Sequence, residues 1–425
     1  MKSIYFLLVF VFLLFPEKSW SQLLHVADKQ PISGIDENRI SRIDAVLDEA
    51  IRDGQIPGLV AMIVKDGKVI YHEAKGLADV KNGRRMEKNS IFRIASQTKA
   101  ITSTAIMILW EEGHFRLDDP ISKFIPEFKS PQVLTGFRFS DTTYTTRTAD
   151  KEITIRHLLT HTSGLGYGVI DGDERMKMIY QKARVVDLFT TEDISIEESV
   201  KRLAKLPLHH DPGARFTYSE GLDVLGYLVE IVSGMPFDEF LNSRIFNPLE
   251  MKDTRFYLND NQDDRLVAVH THQAGEWVAF PITFYDPDYP KKGAKRFFSG
   301  GAGLSSTTED YAKFLQMYLN GGIYNGNRIL SPHTIKTIMT NQVGDFLGEG
   351  GKDYGLAFGL VDEKGVQMGG LGSLGTFDWG GYFNTQYFAD PEQDLIGLIF
   401  KQTSGAGNGD ETGWKFRQMV FTLVD

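Results

Sequence analysis

Hydrophobic positions change period several times along this chain, and each change marks an element. Ile40, Ile43, Leu47, Ala50 and Ile51 recur at helical spacing, and Gly54 follows as a C-terminal stop. Two apolar runs, Gly58 to Val64 and Lys68 to Tyr71, flank Asp66-Gly67, the dipeptide of a tight antiparallel hairpin. From Ser96 to Trp110 the pattern is apolar nearly all round and stops at Gly113, which predicts a buried central helix. Helical patterns at Ile155 to Thr160, Ile194 to Leu206 and Leu222 to Val232 are separated by polar loops. Ser306-Thr307-Thr308-Glu309 reads as a capping box before an apolar run from Tyr311 to Leu319. Strand patterns return at Tyr354 to Val361, Trp379 to Ala389 and Leu395 to Gln402, and Trp414 to Val424 reads as a closing helix. The expectation is an α+β fold in which both ends of the chain build one antiparallel sheet flanked by helices, with a helical lobe inserted. The sheet lobe takes about 22–130 and 290–425, and the helical lobe about 131–289.

Composition narrows the picture. The 425 residues are 42% hydrophobic and 24% charged, ordinary for a globular enzyme with a sizeable core. A formal net charge of −10 without a concentrated Lys/Arg run argues against nucleic acid as partner. Absence of cysteine removes thiol catalysis, disulfides and cysteine-ligated zinc. Met1-Lys2, the apolar run Ile4 to Phe15, and Ser19-Trp20-Ser21 have the three parts of a secretory signal, with cleavage expected before Gln22. The apolar run is short of the ~20 residues of a spanning helix, so export to the periplasm or beyond is expected rather than a stable membrane anchor.

Candidate chemistry sits at the head of the central helix. In Ser96-Gln97-Thr98-Lys99 the serine and lysine are three apart and share a helix face, within reach of a hydrogen bond. Burial disfavours an ammonium, and a neutral amine can act as a base for the hydroxyl. Alone, such a pattern is expected about once in a chain of this composition, so its context carries the weight. Other motifs lead nowhere: Gly370-x-Gly372-x-x-Gly375 has no βαβ setting and reads as a loop. His157 and His161 have the zincin spacing, yet Leu158 stands where the glutamate would be, and His270-Thr271-His272 has no third ligand in view. Neither metal nor cofactor is expected. No G-x-S-x-G elbow occurs, which excludes an α/β-hydrolase triad.

Order and spacing of further motifs give a resemblance over nearly the whole mature chain. Ser96-x-x-Lys99, Leu117-Asp118-Asp119-Pro120, Leu158-Leu159-Thr160-His161-Thr162-Ser163-Gly164, Tyr218-Ser219 and Trp379-Gly380-Gly381 resemble the serine β-lactamase and penicillin-binding-protein superfamily, most nearly family VIII carboxylesterases. The resemblance implies that Ser96 forms an acyl-enzyme, that Lys99 and Tyr218 move protons, and that the N–H groups of Ser96 and Tyr382 form an oxyanion hole beside Gly380 and Gly381. Two departures point to the substrate. Glu220 stands where lactamases usually carry asparagine, and Trp379 where they carry the lysine that pairs with the drug's carboxylate. If Glu220 faces the cleft it repels an anionic lactam, and Trp379 offers an apolar face without a cation. A small-molecule ester or amide is the expected substrate, an ester foremost; β-lactams, D-amino-acid peptides or a catalytically silent binding role are the alternatives.

Overall fold

The computed structural model describes residues 24–26, 35, 37–404 and 409–423; the proposed signal segment lies outside the described residues. One sheet organises the molecule, in the spatial order His25–Val26, Lys68–Asp79, Gly58–Lys65, Leu395–Phe400, Thr385–Asp390, Phe377–Gly380, Gly359–Val361 and Lys352–Tyr354. Every neighbouring pair in this order is antiparallel except the first. Asp66 and Gly67 close the hairpin with φ of 51° and 71°, the left-handed pair that a tight two-residue turn requires.

The unbroken apolar run of Gly58–Lys65 follows from cover on both faces. Leu59, Ala61 and Ile63 pack with Ile43 and Leu47 of the helix Glu37–Arg52 and with Phe416 and Val420 of the helix Thr412–Phe421. Val60, Met62 and Val64 point the other way, into the large core that includes Ala105 and Ile106 of the helix Thr98–Glu111 and Phe314 of the helix Thr308–Leu319. Side chains alternate between the faces of a strand, so a strand buried on both needs apolar residues at every position. The helix Thr98–Glu111 is itself buried from Thr98 to Leu109. Its hydroxyls are satisfied internally: Ser103 donates to the Leu356 carbonyl at 2.8 Å and Thr102 to that of Gly300 at 2.7 Å.

Three sequence expectations shift in detail. Tyr354 to Val361 is two short strands rather than one, because the chain reverses at Ala357 with φ of 67° and Gly355 N–H bonds to the Phe358 carbonyl. The cap of the helix Thr308–Leu319 is Thr307, which accepts the Asp310 N–H at 3.1 Å; Ser306 is held extended by pairing with Phe92. The inserted region does contain the helices Ile155–Leu159, Ile196–Leu203 and Gly221–Ser233, but also the hairpin Gln132–Arg138 with Thr143–Thr148 and the strands His270–Gln273 and Glu276–Ala279. No described helix is long and apolar enough to cross a membrane.

Candidate active site

The turn before the central helix is strained. Ala95 is buried with φ of 44°, a region in which a residue with a Cβ costs free energy, and it opens a short 3-10 turn, Ala95–Gln97, that presents Ser96 half-buried. Such strain persists only where the surroundings fix it. Here the surroundings include Gly381: a side chain there would lie 2.5 Å from the Ile94 carbonyl oxygen, so only glycine lets the end of the strand Phe377–Gly380 lie against the serine turn. Gly381 N–H donates to the Thr385 carbonyl at 2.7 Å, which fixes the turn carrying Tyr382.

Lys99 is 1% exposed, and its Nζ lies 3.2 Å from Ser96 Oγ. The same ammonium donates to the Gly301 carbonyl at 2.7 Å and sits 4.7 Å from the centre of the Tyr218 ring and 5.6 Å from that of Tyr167. Tyr218 is held by other rings, His161 at 4.4 Å, Tyr167 at 5.5 Å and Trp379 at 5.9 Å between centroids. Its hydroxyl is buried with no hydrogen-bond partner among the described residues. Thus residues from four distant stretches of chain, Ser96 with Lys99, Tyr218, Gly301 and Trp379 with Gly380 to Tyr382, converge on one cleft.

Several neighbours were not legible beforehand. Asp223 is buried on the helix Gly221–Ser233, where its Oδ1 accepts the Ser299 hydroxyl at 2.7 Å and the Gly301 N–H at 2.8 Å. It thereby fastens the loop whose carbonyl receives Lys99. A carboxylate in the first turn of the mostly apolar Leu222–Val232 run, five residues after Tyr218, was the sequence signal. His161 serves the site structurally: its Nδ1 accepts the Ser219 N–H at 3.1 Å, and burial, reinforced by the nearby Lys99, holds its pKa well below the usual imidazole value. His157 caps its helix by accepting the Thr154 N–H at 3.2 Å, and His270 accepts the Val80 N–H at 3.2 Å. Among the described residues no three of His, Asp and Glu are arranged to hold a metal ion.

Glu220 does not line the cleft as a charge. It is 2% exposed at the head of the helix Gly221–Ser233, and burial, with Asp187 and Asp223 adding to it, pushes its carboxyl well above the ordinary range. A buried acid whose ionisation is opposed in this way is not placed to repel an anionic substrate.

Comparison with known proteins agrees with this arrangement. The beta-lactamase family matches residues 43–418. Esterase EstB of Burkholderia gladioli is 30% identical over 403 residues, 90% of this chain and 95% of its own. An uncharacterized protein of Mycobacterium tuberculosis is 33% identical over 371 residues, 84% of this chain and 88% of its own. Among solved structures, EstCE1, described as a hydrolase with promiscuous acyltransferase activity, superposes with a TM-score of 0.76 at 26% identity, covering 91% of this chain and 99% of its own. The chain belongs to the beta-lactamase family and is a serine hydrolase of its esterase-like branch.

Proposed function

We propose that this protein is an exported carboxylesterase that acts on small or medium acyl esters through a Ser96 acyl-enzyme. The observation that carries the reading is Lys99 Nζ, 3.2 Å from Ser96 Oγ and anchored on the Gly301 carbonyl directly under the Tyr218 ring. Ser96 Oγ attacks the ester carbonyl as its proton passes to the Lys99 amine, which hands a proton on through Tyr218. Oxyanion charge is received by the N–H groups of Ser96 and Tyr382. Tyr218, whose hydroxyl has no hydrogen-bond partner among the described residues, returns the proton to the leaving alcohol and then draws one from the deacylating water. Trp379, in place of a cation, favours uncharged esters over β-lactams or D-amino-acid peptides.

Steady-state kinetics of the mature chain and Ser96→Ala on p-nitrophenyl butyrate and nitrocefin test the reading. Dominant ester turnover that disappears with Ser96 is the expected result; dominant nitrocefin turnover would make the enzyme a lactamase. Lys99→Arg should be nearly inactive, because a guanidinium stays protonated. Export is checked by N-terminal sequencing of the secreted or periplasmic protein, which should begin at Gln22.

A further inference from the structure

Behind Lys99, four consecutive backbone N–H groups are each accepted by a side chain. Gly166 N–H donates to the Tyr180 hydroxyl at 3.1 Å, Tyr167 N–H to Asp171 Oδ2 at 2.9 Å and Val169 N–H to Asp187 Oδ2 at 2.7 Å. The Gly168 N–H among them serves the carboxyls of both Asp187 and Glu220. Glu220 grips the same loop a second time, through its own N–H on the Gly166 carbonyl at 3.1 Å. The loop carries Tyr167, whose buried ring lies 5.6 Å from Lys99 Nζ and 5.5 Å from the Tyr218 ring. A shift of this loop is therefore a shift of the ring on which Lys99 and Tyr218 rest.

Two carboxyl groups that meet at one N–H lie close together, and here each has an oxygen to spare. Asp187 Oδ1 and Glu220 Oε1 are both buried with no hydrogen-bond partner among the described residues. Ionised, both groups only accept, so neither can satisfy the other, and two like charges out of water repel strongly. A single proton turns one of them into a donor. The surroundings favour one proton over none or two. Burial and mutual repulsion with buried Asp223 oppose charge on both, and Asp171, itself held by His209 at 2.9 Å, adds to the effect at Glu220. The Gly168 and Val169 N–H groups and Lys99 support one charge at Asp187. Burial keeps the phenols of Tyr167 and Tyr180 neutral. On its far side Asp187 borders a cavity of about 780 Å³, whose charged residues, Glu174, Lys177, Arg184 and Glu192, balance in sign.

Building on the esterase reading, we propose that Asp187 and Glu220 share one proton as an acid–carboxylate pair, and that this pair is a positioning device that holds loop 166–169 so that Tyr167 keeps Lys99 and Tyr218 in place. The proton belongs to the pair rather than to either residue. Its loss leaves two carboxylates facing each other at one N–H, which loosens the loop. Both carboxyls are raised above their ordinary range, so the folded chain holds a proton that the unfolded chain has released. The contribution to stability is therefore full at acid pH and falls as pH rises through the titration of the pair. Turnover follows with an alkaline limb set by the same proton.

The test uses Glu220→Gln and Asp187→Asn, whose amides donate to the remaining carboxylate at every pH, and Asp187→Ala, which supplies neither donor nor acceptor. At a slightly acid pH, where exposed carboxyls are ionised, the infrared spectrum of the wild type should contain a carboxylic-acid C=O band that is absent from both amide variants. The melting temperature of Glu220→Gln relative to wild type should rise steadily from acid toward alkaline pH. On p-nitrophenyl butyrate the alkaline limb of kcat should move to higher pH in Glu220→Gln. Asp187→Ala should lower kcat by about tenfold or more with a smaller change in KM, and Asp187→Asn should restore most of it. A band that survives in Asp187→Asn, a melting difference independent of pH, or an alkaline limb that stays where it was overturns the proposal. Absence of all ester turnover in the wild type would instead overturn the esterase reading. The infrared and melting measurements need no substrate and would still decide whether the pair shares its proton.

Discussion

Two glycine-rich stretches, residues 299–303 and 369–375, are similar in composition and opposite in setting. In the first, a side chain at Gly300 would lie 2.3 Å from the Leu222 carbonyl oxygen and 3.1 Å from Thr102 Cγ2, and one at Gly303 would lie 2.8 Å from the Phe256 ring. The loop is pressed between two helices, tied by Asp223, and gives its Gly301 carbonyl to Lys99. In the second, Gly369, Gly370 and Gly375 have φ near 75° to 81° and nothing within 4 Å of a would-be Cβ. At those three positions glycine serves the backbone turn alone, whereas a side chain at Gly372 would lie 2.5 Å from the Phe421 ring and from Thr376 Oγ1. The motif-like spacing fell on the open loop, whereas the loop that touches Lys99 carries no named motif. Close approach of backbone to a functional group, rather than a string of glycines, is what ties such a loop to chemistry.

Four variants sharpen that contrast, and the largest effect belongs to Gly300→Ala. Both of its near neighbours are held by helices, so the loop must move, and ester turnover should fall by roughly a hundredfold or more with a clear drop in melting temperature. Wild-type activity in this variant would break the comparison. Next comes Asp223→Asn, which keeps the shape but weakens the grip on Ser299 and Gly301. A fall in kcat of about 10- to 100-fold with a smaller change in KM is expected, since the loss is in positioning Lys99. The same variant has a pH signature. Burial raises the Asp223 carboxyl above its ordinary value, so the folded wild type binds a proton that the unfolded chain has released, and its stability falls as pH rises through that interval. Asparagine does not titrate, so the melting-temperature gap between wild type and variant should narrow from acid toward neutral pH; a constant gap would mean that Asp223 is not held raised.

Ser299→Ala removes one of the two bonds to Asp223 Oδ1 and should cost about 1 kcal/mol of stability with a few-fold loss of kcat, measured by denaturant melts and ester kinetics. Smallest of all is Gly370→Ala. Its positive φ costs about 1 kcal/mol, but with open space around it kcat/KM should stay within about twofold. A large activity loss there would show that the open loop takes part in the reaction after all.

Legibility followed the range of the interactions. The hairpin at Asp66-Gly67 and the central helix were readable because each depends on residues a few positions apart. So was the proximity of Ser96 to Lys99, which one helical turn enforces. Whether Glu220 faces the cleft stayed open, because its position two residues after Tyr218 says nothing about which way a side chain turns at a helix start. The helix Gly221–Ser233 turns it inward, next to Asp187 and Asp223. Tyr354 to Val361 was read as one strand because apolar alternation cannot register a reversal at Ala357.

The sequence by itself determined a secondary-structure alphabet, a serine and lysine on one helix face, and the ordered motifs of a β-lactamase-like hydrolase. Tertiary structure alone decided that Gly301 rather than a carboxylate receives the lysine, that His161 is a neutral prop under Tyr218, and that Glu220 is buried. It also decided that Asp187 stands between the cleft and a cavity. Those outcomes depend on contacts between residues tens to hundreds of positions apart, and on the loss of solvent that such contacts impose on charged groups. Neither is encoded in local pattern.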